Sequence, residues 1–337
     1  MKQDLSQLGW DDTFASSYRP ATDSQPARVL RAERGVCTVL AADGVHRASL
    51  AGGLLITAAG DPARLPCSGD WVVLRLWPDR RTTVEAVLPR RTTLIRRTAD
   101  KDAGGQVLAA NMDTVAVVEP MHPAPDSARI ERLLALAWES GAEPVLLLSK
   151  ADTARDPAAI ARQIGEIAPG VPVHAVSVTK RKGLAKLRAL VPTGRTLALL
   201  GRSGAGKSTI VNALAGADVM PVQTIRTDGK GRHTTAYRNL VPVPGGGAVL
   251  DTPGIRGVGL LDTESGLDQA FADIAGLAVF CRFGDCRHEA EPACAVRDAI
   301  ATGSLTRRRL DSWRKLHKEV ALESARLAAA GRRKRRL

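Results

Sequence analysis

Residues 197–209 run from an apolar strand, Leu197-Ala-Leu-Leu200, into Gly201-Arg202-Ser203-Gly204-Ala205-Gly206-Lys207-Ser208-Thr209 and on into a helical pattern. Strand, glycine-rich loop and helix in this order admit few structures. The glycines let backbone N–H groups converge on anionic oxygens, and the helix N-terminus adds partial positive charge. Lys207 is placed to neutralise β- and γ-phosphate oxygens and Ser208 to ligate Mg²⁺. About fifty residues on, Ala248-Val-Leu250 leads into Asp251-Thr-Pro-Gly254. A carboxylate at the end of a buried strand suits the second position of a Mg²⁺ site, and the Gly254 N–H suits a γ-phosphate. Asp-x-x-Gly alone is an ordinary turn; its distance from the phosphate loop gives it meaning.

A third motif precedes both. Val145 to Leu148 ends in Ser149-Lys150-Ala151-Asp152, which resembles the guanine-reading Asn-Lys-x-Asp motif with serine in place of asparagine. Asp152 would accept from guanine N1 and N2, which adenine cannot satisfy, while Lys150 would pack over base and ribose. The shorter Ser149 side chain puts nucleotide affinity, more than guanine selectivity, in question. A helix-capping Ser/Asp loop is the plain alternative. Ser177-Val178, after the next strand, suits the loop whose backbone N–H touches guanine O6. The order is therefore guanine motif, phosphate loop, Asp-x-x-Gly, whereas a conventional GTPase begins with its phosphate loop. Each strand keeps its own loop, so one sheet can still build one pocket from rejoined connections.

Between phosphate loop and Asp251 lies Gly229-Lys-Gly-Arg-His-Thr-Thr235, in the position of a first switch. Thr234, or else Thr235, is the expected Mg²⁺ ligand of the GTP state. His233 reads either as the residue that orients the attacking water or as part of a basic loop touching RNA. Ile255 stands where many GTPases hold a water-orienting glutamine, and Gly204 where some potassium-assisted GTPases hold asparagine. Intrinsic hydrolysis is thus expected to be slow and to need a partner.

Three of the five cysteines fall within fourteen residues, as Cys281-x4-Cys286-x-His288-x5-Cys294. Three sulfurs and an imidazole match a closed, structural Zn²⁺ site, with Arg282, Arg287 and Arg297 to offset thiolate charge. Unpaired core cysteines are the alternative, and an iron–sulfur cluster fits less well because of the histidine. Cys37 and Cys67 read as small core residues. His46, His122, His174 and His317 read as structural or surface groups.

The 337 residues are too many for one ordinary core. Residues 1–26 read as a flexible arm that Trp10 and Phe14 could dock. Across 27–98, short β segments (Arg28-Val-Leu, Val36 to Leu40, Leu54 to Thr57, Trp71 to Leu76, Thr83 to Val87) separated by glycine turns suggest a five-stranded OB-fold barrel, with a small SH3-like barrel as the alternative. Residues 99–262 alternate strand and helix: strands at Val115–Val118, Pro144–Leu148, Val173–Ser177 and Leu197–Leu200, helices at Ala128–Glu139, Pro157–Ala168, Leu184–Leu190 and Lys207–Leu214. That predicts an α/β unit with a mainly parallel sheet. Residues 263–337 turn helical and charged and end in the basic run Arg332 to Arg336. Net charge is +13 and aromatic content 3%. A polyanionic partner gripped through phosphate and shape, rather than by base stacking, fits both numbers, although a merely basic surface explains the charge as well. No apolar run reaches signal-peptide or membrane-spanning length, so no membrane is involved and the cytoplasm is the expected compartment. A monomer is the expected state.

These motifs together resemble the RsgA family of small-ribosomal-subunit biogenesis GTPases. The likeness covers nearly the whole chain: Leu8-Gly-Trp10, the barrel, the permuted motif order, Gly231-Arg-His-Thr-Thr235, Asp251-Thr-Pro-Gly254 and the Cys/His cluster. Ser149 departs from the family pattern. The resemblance implies an OB-fold, a circularly permuted GTPase domain and a zinc domain that clasp the small ribosomal subunit and its rRNA late in maturation. It further implies GTP hydrolysis to GDP stimulated by that subunit, followed by release. Ordering of the second switch would then pull on the zinc module. Two rivals stand beside this reading: an RNA-binding module with a largely structural nucleotide site, and a kinase using the same phosphate loop.

Overall fold

The computed structural model describes residues 3–19, 21–96, 105–220, 239–252 and 264–334. The chain opens with a 3-10 turn at Leu5–Leu8 and helix α1 at Asp12–Ser17. Strands β1 (Ser24–Glu33), β2 (Val36–Ala41) and β3 (Gly44–Leu50), helix α2 (Gly52–Ala58), and strands β4 (Trp71–Leu76) and β5 (Thr82–Val87) come next. The five strands close into a barrel in the order β1-β2-β3-β5-β4, with β3 parallel to β5 and the other pairs antiparallel. That order, with a helix between β3 and β4, is the OB topology. Its interior is filled by Ala27, Val29, Cys37, Val39, Ala41, Ala48, Leu54, Val72, Leu74 and Val84.

The strand expected at Leu54–Thr57 is instead the middle of α2, and the missing strand is Gly44–Leu50. Leu54 and Ala58, one helical turn apart, are buried, whereas Ile56 is 78% exposed. A short apolar run carries no period of its own, and burying Leu54 on the barrel end, worth about 1.5–3 kcal/mol, decides the matter. β3 escapes notice because only Ala48 along it is fully buried. The first residues dock through the two aromatics that the sequence offered for it. Trp10 and Phe14 pack on Trp71, with ring centroids at 5.0 and 5.9 Å, and the Arg91 guanidinium lies 4.1 Å over the Phe14 ring. The Gly194 and Gly247 amides donate to the Gln7 carbonyl, at 3.1 and 2.6 Å. The segment is thus a strap between barrel and sheet.

A hairpin of β6 (Thr93–Arg96) and β7 (Gln106–Ala110) links the barrel to the α/β unit, across the boundary expected at 98/99. Cys67 packs at this junction with Val107 and Ala110, while Cys37 lies inside the barrel, its thiol pushed up to about 12 by burial. Then come β8 (Thr114–Pro120), α3 (Ser127–Glu139), β9 (Glu143–Ser149), α4 (Pro157–Glu166), β10 (Val173–Ala175), α5 (Leu184–Ala189), β11 (Thr196–Leu200), α6 (Lys207–Ala215), β12 (Asn239–Pro242) and β13 (Ala248–Asp251). They form a six-stranded sheet in the order β10-β9-β8-β11-β13-β12. All neighbours are parallel except β12, which runs antiparallel along β13. Buried residues flank both faces, as expected of near-continuous apolar strands.

The C-terminal part is helical: α7 (Glu264–Ala270), α8 (Ala272–Ala278), α9 (Ala295–Ala301) and α10 (Arg307–Lys334). α7 approaches α3 so closely that a Cβ on Gly266 would lie 2.6 Å from the Ala135 carbonyl oxygen. Only glycine fits there. Among the described residues no helix is long and apolar enough to cross a membrane.

Candidate nucleotide site and cysteine–histidine cluster

Five parallel strands point their C-terminal ends at one edge of the sheet, where ligands of open α/β sheets bind. The register pairs Pro120 with Ser149, Leu200 with Val117, and Leu199 with Asp251. The loops after β9, β10 and β11 and the end of β13 therefore emerge side by side, although the chain reaches them in permuted order.

The phosphate loop is shaped by left-handed glycines, Gly204 at φ 79° and Gly206 at φ 93°. A Cβ on Gly201 would sit 2.3 Å from the Val118 carbonyl oxygen, so the loop must lie flat on β8. Lys207, Ser208 and Thr209 form the first turn of α6. The Lys207 ammonium donates to the Gly201 and Arg202 carbonyls at 2.8 and 3.0 Å, and burial pushes its pKa down. Opposite it, Asp251 is 2% exposed, and its Oδ1 has no hydrogen-bond partner among the described residues. Burial lifts the Asp251 carboxyl to about 6, with the Lys207 charge opposing the rise. An orphaned buried carboxylate oxygen beside a buried lysine suits a hard divalent cation. Neighbouring Thr252 donates to the Leu199 carbonyl at 2.5 Å and ties β13 to β11.

Ser149 resolves the question its identity raised. Its hydroxyl donates to the Ala205 carbonyl at 2.6 Å and is buried, so the shorter side chain still reaches the phosphate loop. Lys150 takes a left-handed conformation, φ 54°, and burial followed by the Arg202 charge lowers its pKa. Ala151 is buried, and its amide donates to the Val176 carbonyl at 3.1 Å. Asp152 is exposed and accepts a 2.5 Å hydrogen bond from Ser177, which holds its carboxyl below the usual range. Val178 is half-buried against the core beneath. The structure thus gathers Ser149, Lys150, Asp152, Ser177, residues 201–209 and Asp251 at one edge. His233, Thr234, Thr235, Gly254 and Ile255 lie outside the described residues.

Sequence reasoning missed Glu119, fully buried at the end of β8 and held bidentately by Arg129. A lone carboxylate closing the apolar run Val115–Val118 was the available signal. It also missed Glu131, the buried acceptor that joins α3 to α10.

At the far end, the ligand atoms of Cys281, Cys286, His288 and Cys294 all lie within 4.8 Å of one another. Cys281 Sγ is 3.8 Å from Cys294 Sγ and 3.6 Å from His288 Nδ1, and His288 Nδ1 is 3.4 Å from Cys294 Sγ. A tetrahedron with Zn–S of about 2.3 Å and Zn–N of about 2.0–2.1 Å has edges of about 3.8 Å between sulfurs and about 3.6 Å between sulfur and nitrogen. The Cys281, His288 and Cys294 separations match these edges, and Cys286, within 4.8 Å of the other three, completes the donor set of a four-coordinate metal site. His288 is held there by the Trp313 ring at 5.4 Å and by Arg314, which donates to its carbonyl.

Comparison with known proteins agrees with this architecture. The chain resembles the small ribosomal subunit biogenesis GTPase RsgA of Streptomyces coelicolor, at 51% identity over 321 residues covering 94% of this chain and 86% of that one. It also resembles the protein of the same name from Streptomyces avermitilis, at 48% identity covering 98% and 90%. In fold it resembles the crystal structure of YjeQ from Thermotoga maritima (TM-score 0.66, 24% identity, 88% of this chain and 99% of that one). YloQ, described as a circularly permuted GTPase, is similar in fold too (TM-score 0.64, 21% identity, covering 91% and 99%). The model of the RsgA GTPase family matches residues 87–261, and with half the chain matched and relatives this similar along nearly all of it, the chain belongs to the RsgA GTPase family.

Proposed function

We propose that the chain is a GTP hydrolase acting on the small ribosomal subunit during its maturation, gripping rRNA and turning over GTP when the subunit stimulates it. The observation that carries this is the hydrogen bond from Ser149 to the Ala205 carbonyl, because it locks the guanine-reading loop onto the phosphate loop despite their reversed order. In this reading Asp152 accepts from guanine N1 and N2, Ser177 orients Asp152, and the Val178 amide faces O6. Lys207 leaves the Gly201 and Arg202 carbonyls to meet β- and γ-phosphate oxygens, and loop amides bind the rest. Ser208, Asp251 and Thr234 would hold Mg²⁺, whose charge would offset that of the phosphates. Gly254 senses the γ-phosphate, and His233 orients the attacking water. The permuted sheet delivers its loops to one edge, which supports the assignment.

The Cys/His cluster is read as a structural Zn²⁺ site and the chain as a cytoplasmic monomer that needs no membrane. α7 is the first described element after Asp251 and Thr252, and it is seated on α3. A change at the second switch would therefore reach the zinc module through the packed α3–α7–α10 unit rather than through a free tether.

The direct test is GTP turnover with and without purified small subunits at fixed salt. Stimulation of about tenfold or more is expected, of the kind a partner supplies to a slow GTPase, and equal rates would favour an RNA-binding module with a structural nucleotide site. For the zinc assignment, a strong chelator under reducing conditions should release one zinc per chain and expose the amides of 281–294 to hydrogen exchange. Metal-free protein with unchanged protection there would sink it.

A further inference from the structure

A cavity of about 330 Å³ lies between α3, α10 and the phosphate loop, within the usual size range of small-ligand sites, about 300–1,000 Å³. Its floor is apolar, made by Leu133, Leu136 and Leu316, each buried. Its rim carries the cations Arg129, Arg132, Arg202 and Lys315 and one carboxylate, Asp126, which Arg129 holds at 3.2 Å. The charges on this rim are not equally satisfied. Arg132 is paired with Glu319 at 2.7 Å. Among the described residues neither Arg202 nor Lys315 has a carboxylate partner in an ion pair, and the Arg202 Nε is buried without a hydrogen-bond partner. Two cations without a carboxylate partner in one leucine-floored cleft, in a chain of net charge +13, fit a ligand with one flat apolar face and one negative group.

We propose that this cleft takes a single unpaired nucleotide of RNA, its base over the apolar floor and its phosphate at Arg202 and Lys315. Unpaired bases are the parts of an RNA that can be splayed into a protein pocket, and the phosphate supplies the missing counter-charge. This rests on the reading that the chain works on the ribosomal subunit and adds how the subunit is sensed. The Arg202 carbonyl is one of the two acceptors that hold the Lys207 ammonium. A nucleotide that draws the Arg202 side chain toward Lys315 therefore acts at the residue whose carbonyl anchors the lysine, so occupancy of the cleft is coupled to release of Lys207 toward the γ-phosphate. Lys315 reaches this point from α10, which makes the cleft complete only when the C-terminal helix is docked.

The test uses full-length chain and purified small subunits. Lys315→Glu should leave turnover without subunits unchanged, since Lys315 is exposed and outside the nucleotide site, and should cut subunit-stimulated turnover about tenfold. Lys315→Arg should restore it. The salt dependence of subunit binding should lose about one unit of slope in Lys315→Glu, as for one phosphate contact. A photo-crosslinking residue at 315 should join rRNA. Stimulated turnover of Lys315→Glu within about twofold of the parent, or crosslinks to ribosomal protein alone, would overturn the proposal while leaving the GTPase reading intact. A parent chain that subunits do not stimulate would overturn both.

Discussion

Replacing Glu131 by alanine is expected to cost about 3–5 kcal/mol of stability, because it strips a buried charge cluster of its central acceptor. Glu131 is fully buried on α3. It accepts from both Nη atoms of Arg308 at 3.1 and 3.0 Å, from Arg309 at 2.9 Å and from the Ser312 hydroxyl at 2.5 Å. Arg309 is 3% exposed; it also holds Asp273 at 2.9 and 3.0 Å and the Ala270 and Ile167 carbonyls at 2.7 and 3.0 Å, and it lies 4.1 Å over the Phe271 ring. Without Glu131, Arg309 keeps one carboxylate, and Arg308 loses its charge partner. The α10 amides should lose protection from hydrogen exchange before the sheet does. Glu131→Gln keeps an acceptor oxygen without the charge and should fall between parent and alanine variant. Denaturant unfolding reads the effect, and a loss below about 1 kcal/mol would mean that solvent replaces the cluster without cost.

Lys207→Ala should lower subunit-stimulated kcat by about 10²–10³, the usual effect of removing one group aimed at transition-state charge. Saturating GTP separates this from weakened binding. The same variant should change the response to pH without nucleotide. Asp251 in the folded chain titrates near 6 rather than 3.8, so folding favours its protonated form. Its stabilising contribution is complete below pH 3.8 and is lost as pH rises through about 6. Lys207 opposes that shift, so its removal should raise the Asp251 pKa and move the loss to higher pH. Thermal unfolding from about pH 5 to about pH 8 should show this displacement. A kcat within about threefold of the parent would rule out Lys207 as the phosphate-binding lysine.

Some of this molecule is legible in the order of its residues. Gly201, Gly204 and Gly206 demand a tight loop, Lys207 and Asp251 each follow an apolar strand, and Cys281, Cys286, His288 and Cys294 have ligand spacing. These are properties of short segments, and local backbone chemistry settles them. The permuted order was legible for the same reason, since each loop travels with its own strand. The Leu54–Thr57 run was misread because three apolar residues and a threonine fit a helix or a strand equally, and the barrel end made the choice.

Other features belong to residues far apart in the chain. Ser149 looked deficient until the fold set the Ala205 carbonyl 2.6 Å from its hydroxyl. The first residues offered Trp10 and Phe14 for docking, but where they dock was set only when Trp10 met Trp71 and the Gln7 carbonyl met the Gly194 and Gly247 amides. Glu131 carries no signal along the chain, and its role appears only where α10 brings Arg308 and Arg309 to it. What the sequence determined by itself is the chemistry carried on each loop, because glycine conformations, helix termini and ligand spacing act over a few residues. Which loops meet, which charges are buried and how the C-terminal helices clasp the sheet were decided by tertiary packing alone, because those energies depend on desolvation by neighbours that the linear order does not reveal.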